Sequence, residues 1–160
     1  FSTWLRNKIA SVTSQPGGSV WVDDTTSVNR IFNGRLSYDK GGMLLHMLRW
    51  KLGDTHFFQG VRNYLNDPRL AYGYAKTEDL KRHLEAQSGQ DLTEFFEDWF
   101  YGQGHPSYQI EWQQNGQVLN LRIFQTTSHP VVDFFEMPVP IVVKGANGAA
   151  LQLRFEHQSS

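Results

Sequence analysis

Residues 38–53 read YDKGGMLLHMLRWKLG and decide the fold of this chain. Leucines at four positions recur at helical spacing, and they predict a helix from about Tyr38 to Leu52. The methionines and the tryptophan between them widen the apolar face, which indicates a helix that is buried on most sides. Gly53 is a natural stop at the C-terminal end of such a helix.

Further helices are predicted on both sides of this central one. Residues 3–13 carry apolar side chains near helical spacing, and this helix ends before Pro16-Gly17-Gly18. Asn33-Gly34 predicts a turn just before the central helix. Three more helices are predicted to begin at polar residues that favour helix starts, namely Asp54, Thr77 and Asp91.

After about residue 105 the pattern changes from helical to strand-like. Apolar and polar residues alternate on both sides of Asn115-Gly116, which predicts a β-hairpin. A third strand is predicted over residues 134–143, and a fourth follows around residues 151–155. Pro138 and Pro140 cannot donate ladder hydrogen bonds, so the third strand is predicted to lie at an edge.

The order of these elements predicts an α+β protein. We expect about four to five helices followed by an antiparallel β-sheet or a partial β-sandwich. Residues 1–106 are predicted to form a helical domain and residues 107–160 an incomplete antiparallel β domain. A sheet with one apolar face needs a cover, which either the helices or a second sheet would supply.

The composition excludes several classes of protein. The 160 residues carry a net charge of -1, so there is no basic surplus for binding nucleic acid. The absence of cysteine excludes disulfides, thiolate metal sites and a cysteine nucleophile in these residues. No apolar run approaches the roughly 20 residues needed to cross a bilayer, so no transmembrane segment is expected.

No complete metal-binding or nucleotide-binding motif occurs in the sequence. There is no His-Glu-x-x-His, no phosphate-binding loop and no Gly-x-Ser-x-Gly. None of the histidines pairs with another at a ligand spacing, and each is predicted to have a structural or solvated role. His46 lies within the apolar helix and is predicted to be a hydrogen-bonded, buried or half-buried residue. The histidines are His46, His56, His83, His105, His129 and His157.

Tyr38 and the glycine pair that follows it have two interpretations. Two glycines in a helix cost roughly 1 kcal/mol each against alanine, which indicates that another backbone or a substrate passes close to Gly41 and Gly42. In one interpretation Tyr38 packs at a helix end over a tight helix crossing. In the other, its hydroxyl faces a cleft and takes part in chemistry.

The two charged residues between Tyr38 and the glycines also have more than one interpretation. Lys40 either pairs with a nearby carboxylate and fixes the start of the helix, or is solvated. The structural role is the one we favour. Asp39 lies in the first turn of the predicted helix, where the helix dipole favours a negative charge.

The segment around Tyr38 resembles the Tyr-x-Lys-Gly segment of the aminopeptidase N family, peptidase family "M-one", which also holds leukotriene A hydrolase. The order and spacing of several further segments resemble the same family over roughly residues 35 to 112. These segments are Phe58, Tyr64-Leu65, Thr77-Glu78-Asp79-Leu80, Ser88-Gly89-Gln90-Asp91-Leu92, Phe95-Phe96 and Trp99-Phe100-Tyr101-Gly102-Gln103-Gly104-His105-Pro106.

The resemblance implies a zinc aminopeptidase that acts on peptides. In such enzymes the zinc polarises the scissile carbonyl and activates water, and a glutamate acts as general base. The family's tyrosine donates a hydrogen bond to the developing oxyanion, and by resemblance that tyrosine is Tyr38. The chain is then the C-terminal part of the catalytic domain followed by the start of a β domain.

The resemblance also implies that the zinc ligands lie upstream of Tyr38. Residues 1–37 contain neither histidine nor glutamate, so this chain is expected to bind no catalytic zinc and to be inactive alone. Three alternatives remain open at this point. They are a relative of the glycyl aminopeptidases, which share a Tyr-x-Lys-Gly segment; a relative that has lost its metal site; and a non-enzymatic helix-plus-sheet binding module.

Overall fold

The computed structural model describes residues 1–157, in which helices are followed by two small antiparallel sheets. This order confirms the predicted α+β class. The helices are α1 (Ser2–Val12), α2 (Val28–Ile31), α3 (Gly41–Leu52), α4 (Asp54–Leu65), α5 (Thr77–Ser88) and α6 (Thr93–Phe96). Two π-helical segments are πA (Gly34–Lys40), before α3, and πB (Glu97–Tyr101), after α6. The strands are β1 (Pro106–Asn115), β2 (Val118–Thr127), β3 (Met137–Lys144) and β4 (Ala150–His157).

The central helix begins earlier than the sequence pattern predicts. It starts at Gly34 as πA and passes into α3 without a break, because Lys40 and Gly41 both have right-handed helical backbone. The Asn33 side chain accepts a hydrogen bond from the Leu36 N–H at 2.9 Å and caps the helix. Asn33-Gly34 is therefore a helix cap instead of the predicted turn, and Tyr38 lies inside a continuous helix.

The hydrophobic core joins the helices to the segment that precedes β3. Four of its side chains are almost wholly inaccessible, and aromatic residues of α6 and πB belong to the same cluster. The core comprises Leu44, Leu48, Leu52, Phe57, Leu84, Leu92, Phe95, Phe96, Trp99, Val132, Phe135 and Met137. Within residues 1–157 no helix has the length and apolar character that a bilayer crossing requires.

Helices α4 and α5 cross where α4 has a glycine. A Cβ atom added to Gly60 would lie 2.9 Å from the Leu84 side chain and 3.3 Å from its Cα atom. A side chain at this position would push against backbone, which cannot move aside as a flexible side chain can. The close approach of the two helices therefore depends on Gly60.

We expect Gly60→Ala and Gly42→Ala to change stability in opposite directions. A Cβ atom at Gly42 would meet nothing within 4 Å, so that variant should gain about 1 kcal/mol of helix propensity. Gly60→Ala should instead lose about 1–3 kcal/mol through overpacking at the α4–α5 crossing. Urea denaturation of the two variants measures both effects. Equal stability would show that α4 and α5 separate easily.

Within residues 1–157 the strands form two separate two-stranded sheets, whereas a single sheet is one of the predicted forms. In the first sheet β1 pairs with β2 in antiparallel register, and Asn115 lies opposite Val118 across the predicted turn. In the second sheet β3 pairs with β4, with Val139 opposite Phe155. With only two strands to a sheet, β3 lies at an edge as its prolines require.

The segment before β3 packs against πB. The Phe135 ring lies 4.6 Å from the Trp99 ring, centroid to centroid, and the Trp99 indole N–H donates to the Glu136 carbonyl at 3.3 Å. Asp98 accepts the Glu136 N–H at 3.1 Å, and burial raises the pKa of Asp98 to about 6. The predicted division at residue 106 stays a prediction, although this segment shares the helical core.

Candidate functional site

Tyr38 lies on πA and is 59% exposed to solvent. Its backbone N–H donates to the carbonyl of Asn33, five residues earlier, at 3.4 Å. Within residues 1–157 the Tyr38 hydroxyl has no hydrogen-bond partner. A π turn of this kind often occurs at functional sites. The arrangement leaves an unused phenol donor on the open face of an ordered helix.

Lys40 lies on the opposite, buried side of the same turn and is only 5% exposed. Its ammonium donates to the carbonyl of Gly18 at 2.8 Å and to the carbonyl of Gly102 at 3.3 Å. Burial lowers the pKa of Lys40 to about 8, and the positive charge of Arg35 contributes to this decrease. Within residues 1–157 Lys40 has two carbonyl partners and no carboxylate partner, and it is not solvated. The expected carboxylate pairing and the alternative of solvation are therefore both wrong, whereas the favoured structural role at the start of the helix is supported.

The lowered pKa of Lys40 predicts that its contribution to stability depends on pH. An unfolded lysine titrates near 10.5, so between about pH 8 and that value the unfolded chain binds more protons than the folded one. The free energy of unfolding should therefore rise with pH in this window, by on the order of 2 kcal/mol, relative to a Lys40→Met variant that does not titrate. Urea denaturation of both proteins across the window measures this difference. A constant difference would contradict the burial of the charge.

The loop Pro16-Gly17-Gly18 is fastened to the Tyr38 helix on both sides of the tyrosine. Arg35 donates to the Gly17 carbonyl at 3.0 Å, and Lys40 binds the next carbonyl. Gly18 has a φ of +100°, and a Cβ atom on it would lie 2.7 Å from a Leu36 methyl group. The loop thus needs glycine at this position, both for its conformation and for its close approach to πA.

A second set of contacts fixes this loop from the β side. The Gly18 N–H donates to the Gln103 side chain at 3.2 Å, and the Ser128 hydroxyl donates to the Pro16 carbonyl at 2.6 Å. His105 lies beside Ser128, 3.2 Å from its oxygen, and burial followed by the charges of Lys40 and Arg35 lowers the pKa of His105. From Pro16-Gly17-Gly18 the sequence pattern predicts only the end of a helix. The two consecutive glycines, Gly17 and Gly18, are the feature that indicates a close contact.

Asp39 pairs with α1, which the sequence pattern does not reveal. Its carboxylate accepts a hydrogen bond from Lys8 at 2.6 Å, and this bond, followed by one from Ser11, lowers the pKa of Asp39. Because the helix begins at Gly34, Asp39 lies beyond the first turn, and the dipole explanation for it is wrong. Within residues 1–157, hydrogen bonds hold the side chains of Asp39 and Lys40, whereas the Tyr38 hydroxyl has no partner.

The predicted close approach at the glycine pair is not observed. A Cβ atom on Gly41 would meet only the Val20 side chain, at 3.7 Å, and one on Gly42 would meet nothing within 4 Å. The helix surface is therefore open here in the described chain. The tight helix crossing proposed as one explanation of Tyr38 is wrong for these residues, and the glycines have no packing explanation within residues 1–157.

Within residues 1–157 no hydrogen bond joins two histidine side chains, although His105 contacts Ser128, the residue before His129. His46 is half-buried and contacts the Phe1 ring edge-on at 5.5 Å, as its predicted half-buried position allows. His83 lies 3.0 Å from a carboxylate oxygen of Asp67, and His56 lies 3.3 Å from the Leu52 carbonyl. The side chain of His157 lies outside the described part of the structure.

The donor side chains of the described chain do not suit a metal ion. Over residues 1–157 the side chains of His, Asp and Glu nowhere form a group of three or more that could hold a metal ion. The residues present therefore do not fit a zinc site of the kind that three protein ligands make.

A large groove lies elsewhere, between the C-terminal half of α3 and β3. It has a volume of about 890 Å³ and a mostly apolar lining that includes Trp50, Tyr108 and Pro138. Tyr38 does not line this groove. The open face that carries Tyr38 is thus a separate surface of the molecule.

Comparison with known proteins identifies the family. The sequence model of the Peptidase family M1 domain matches residues 5–99. The chain is 34% identical over 130 residues to "Aminopeptidase 2, mitochondrial" of Saccharomyces cerevisiae, which covers 79% of this chain and 13% of that protein. It is 30% identical over 108 residues to "Aminopeptidase N" of Lactococcus lactis subsp. lactis, covering 68% of this chain and 12% of that protein.

A rice relative extends the likeness into the β region. "Aminopeptidase M1-D" of Oryza sativa subsp. japonica is 30% identical over 154 residues, which is 96% of this chain and 17% of that protein. The chain therefore spans well under a quarter of the length of these relatives. The match to the domain model over more than half of the chain establishes that this chain belongs to peptidase family M1.

Proposed function

We propose that this chain is part of a zinc aminopeptidase that removes N-terminal residues from peptides, and that Tyr38 stabilises the transition state. Membership of peptidase family M1 and the names of the aminopeptidase relatives support the activity. Because the chain spans 13% of the first of those relatives, the activity is proposed for the longer protein. The alternative of a non-enzymatic binding module has no specific observation in its favour.

The geometry of Tyr38 supports its role. Attack on a peptide carbonyl places negative charge on the carbonyl oxygen, and a neutral donor already aimed at that oxygen stabilises the charge as it appears. The Tyr38 hydroxyl is exposed and has no partner within residues 1–157, so it is available to donate. This free donor on an anchored turn is the observation that carries the proposal.

The metal belongs to residues outside this chain in the proposed enzyme. When bound, zinc supplies an activated water and polarises the scissile carbonyl. The contribution of this chain is limited to what its own residues do, which is to orient the Tyr38 hydroxyl toward the carbonyl oxygen. Replacing Tyr38 with phenylalanine in the intact enzyme tests that role, since kcat should fall sharply while KM changes little.

The isolated chain is expected to be inactive. Its described residues do not assemble a metal site, so neither zinc binding at catalytic affinity nor hydrolysis of amino-acid amides should be detectable. Isothermal titration with Zn²⁺ and a fluorogenic aminopeptidase assay check the two statements. Turnover that depends on added zinc and is abolished by a chelator would contradict the proposed division of the active site.

A further inference from the structure

We infer that Lys40 is a positioning residue, whose buried ammonium holds the turn that carries Tyr38 in one orientation. The inference rests on the proposed role of Tyr38 and names the group that keeps its hydroxyl in place. Lys40 itself faces away from the open surface, so it acts through Tyr38 and does not contact the reacting atoms.

The contacts of Lys40 connect three distant parts of the chain. Its ammonium binds the Gly18 carbonyl of the loop after α1 and the Gly102 carbonyl that follows πB. Lys40 is two residues from Tyr38 on the same helical turn. The ammonium therefore fixes this turn relative to both the loop and the end of πB, and Arg35 holds the loop from the preceding turn.

Packing alone does not explain a lysine at this position. Lys40 is 5% exposed, and among residues 1–157 it has no carboxylate within ion-pair distance. Burial of an ion is unfavourable, whereas hydrogen bonds to a charged donor offset that cost. The two terms nearly cancel, so little net stability results, but the directional constraint from two carbonyls remains.

This constraint fixes the direction of the Tyr38 hydroxyl. A hydrogen-bond donor contributes to catalysis only when it is already aimed at the developing charge, and a displacement of about 1 Å can cost 100-fold in rate. The Tyr38 hydroxyl has no partner of its own within residues 1–157, so its direction is set by the turn beneath it. Lys40 is the residue that fastens this turn from the buried side.

The first test is the kinetics of Lys40→Met in the intact enzyme. Methionine fills a similar volume without a charge, so the fold should persist, while kcat should fall by about 10- to 100-fold with KM nearly unchanged. Lys81→Met on α5 is the matched control. Lys81 donates to Thr93 at 2.7 Å and does not take part in the contacts between Lys40 and the carbonyls of Gly18 and Gly102. Its kcat should stay at the wild-type value. An unchanged kcat for Lys40→Met would overturn the inference.

A double-mutant cycle separates positioning from general damage. If Lys40 acts through Tyr38, then Lys40→Met should have little further effect on kcat in a Tyr38→Phe background, because the donor it positions is gone. Full additivity of the two losses would overturn the inference and leave the role of Tyr38 intact. A Tyr38→Phe enzyme with wild-type kcat would instead overturn the proposed function, so the two failures are distinguishable.

Conservative variants keep the test independent of folding. Lys40→Arg retains a charge and several donors, so it should recover most of the kcat that Lys40→Met loses. Equally low kcat values for Lys40→Arg and Lys40→Met would overturn the inference. If thermal unfolding shows that Lys40→Met does not fold, Lys40→Gln takes its place in the cycle. The same loss of additivity with Tyr38→Phe is then expected, and its absence is again a refutation.

Discussion

Replacing Tyr38 with phenylalanine in the intact enzyme is expected to lower kcat by about 10²- to 10³-fold, equivalent to about 2.7–4 kcal/mol of barrier. The substitution removes one oxygen atom and leaves the ring. Since Tyr38 is 59% exposed and its hydroxyl binds nothing within residues 1–157, the fold should lose nothing measurable. A change in rate without a change in stability would thus report on the hydroxyl alone.

The division of the effect between kcat and KM identifies the step in which the hydroxyl acts. Charge develops on the carbonyl oxygen only during the reaction, so the hydrogen bond is made in the transition state and not in the bound substrate. Steady-state kinetics on an amino-acid amide should therefore show kcat and kcat/KM falling together. A rise in KM with unchanged kcat would make Tyr38 a ground-state binding residue instead.

Tyr74→Phe is the matched control for this measurement. Tyr74 is fully exposed in the loop before α5, so the substitution removes the same hydroxyl from a site with no proposed role. Its kcat should equal that of the wild-type enzyme. If Tyr38→Phe behaved in the same way, Tyr38 would be an exposed helix residue without a part in catalysis.

The open position of Tyr38 follows from a feature that helical periodicity cannot detect. The spacing of the leucines in α3 predicts the helix, but πA has a different periodicity and begins at a cap that also resembles a turn, Asn33-Gly34. The pattern therefore gave the correct helix with the wrong start. The earlier start of the helix matters for Tyr38, because a tyrosine at a frayed helix end would be less well oriented than one inside a continuous helix.

The anchors of that helix depend on contacts between residues far apart in the chain. Lys40 binds Gly18 and Gly102, and no local pattern relates these positions. A lysine in a short motif is usually solvated or paired with a carboxylate, so the sequence predicts only those two environments. The hairpin at Asn115-Gly116 was predictable for the opposite reason, since its turn and its register are both local.

The resemblance to a family predicted more about this chain than the pattern of its residues did. Residues alone left Tyr38 with two interpretations, and the glycine pair beside it was assigned a close contact that the structure does not contain. The ordered segments from Tyr38 to Pro106 predicted the family, which the domain match over residues 5–99 confirms. The open surface above Gly42 excludes only the packed helix crossing, and only within residues 1–157.

The junction between the helices and the strands gives the largest expected loss of stability. Phe135 is wholly buried, contacts Trp99, and exchanges backbone hydrogen bonds with the Gln125 side chain of β2 at 2.6 and 3.0 Å. Phe135→Ala should cost about 3–5 kcal/mol, a large part of the 5–15 kcal/mol that typical domains possess. Denaturant unfolding of the chain followed by circular dichroism measures the loss.

Phe124→Ala is the control, and the comparison decides how the β region is attached. Phe124 lies on β2 and is 47% exposed, so its removal should cost only about 1 kcal/mol. If residues beyond 106 folded as an independent domain, Phe135→Ala would leave the helical transition in place and change only the signal of the strands. Because Phe135 lies between Trp99 and β2, we expect the helices themselves to unfold at lower denaturant, in one transition with the strands.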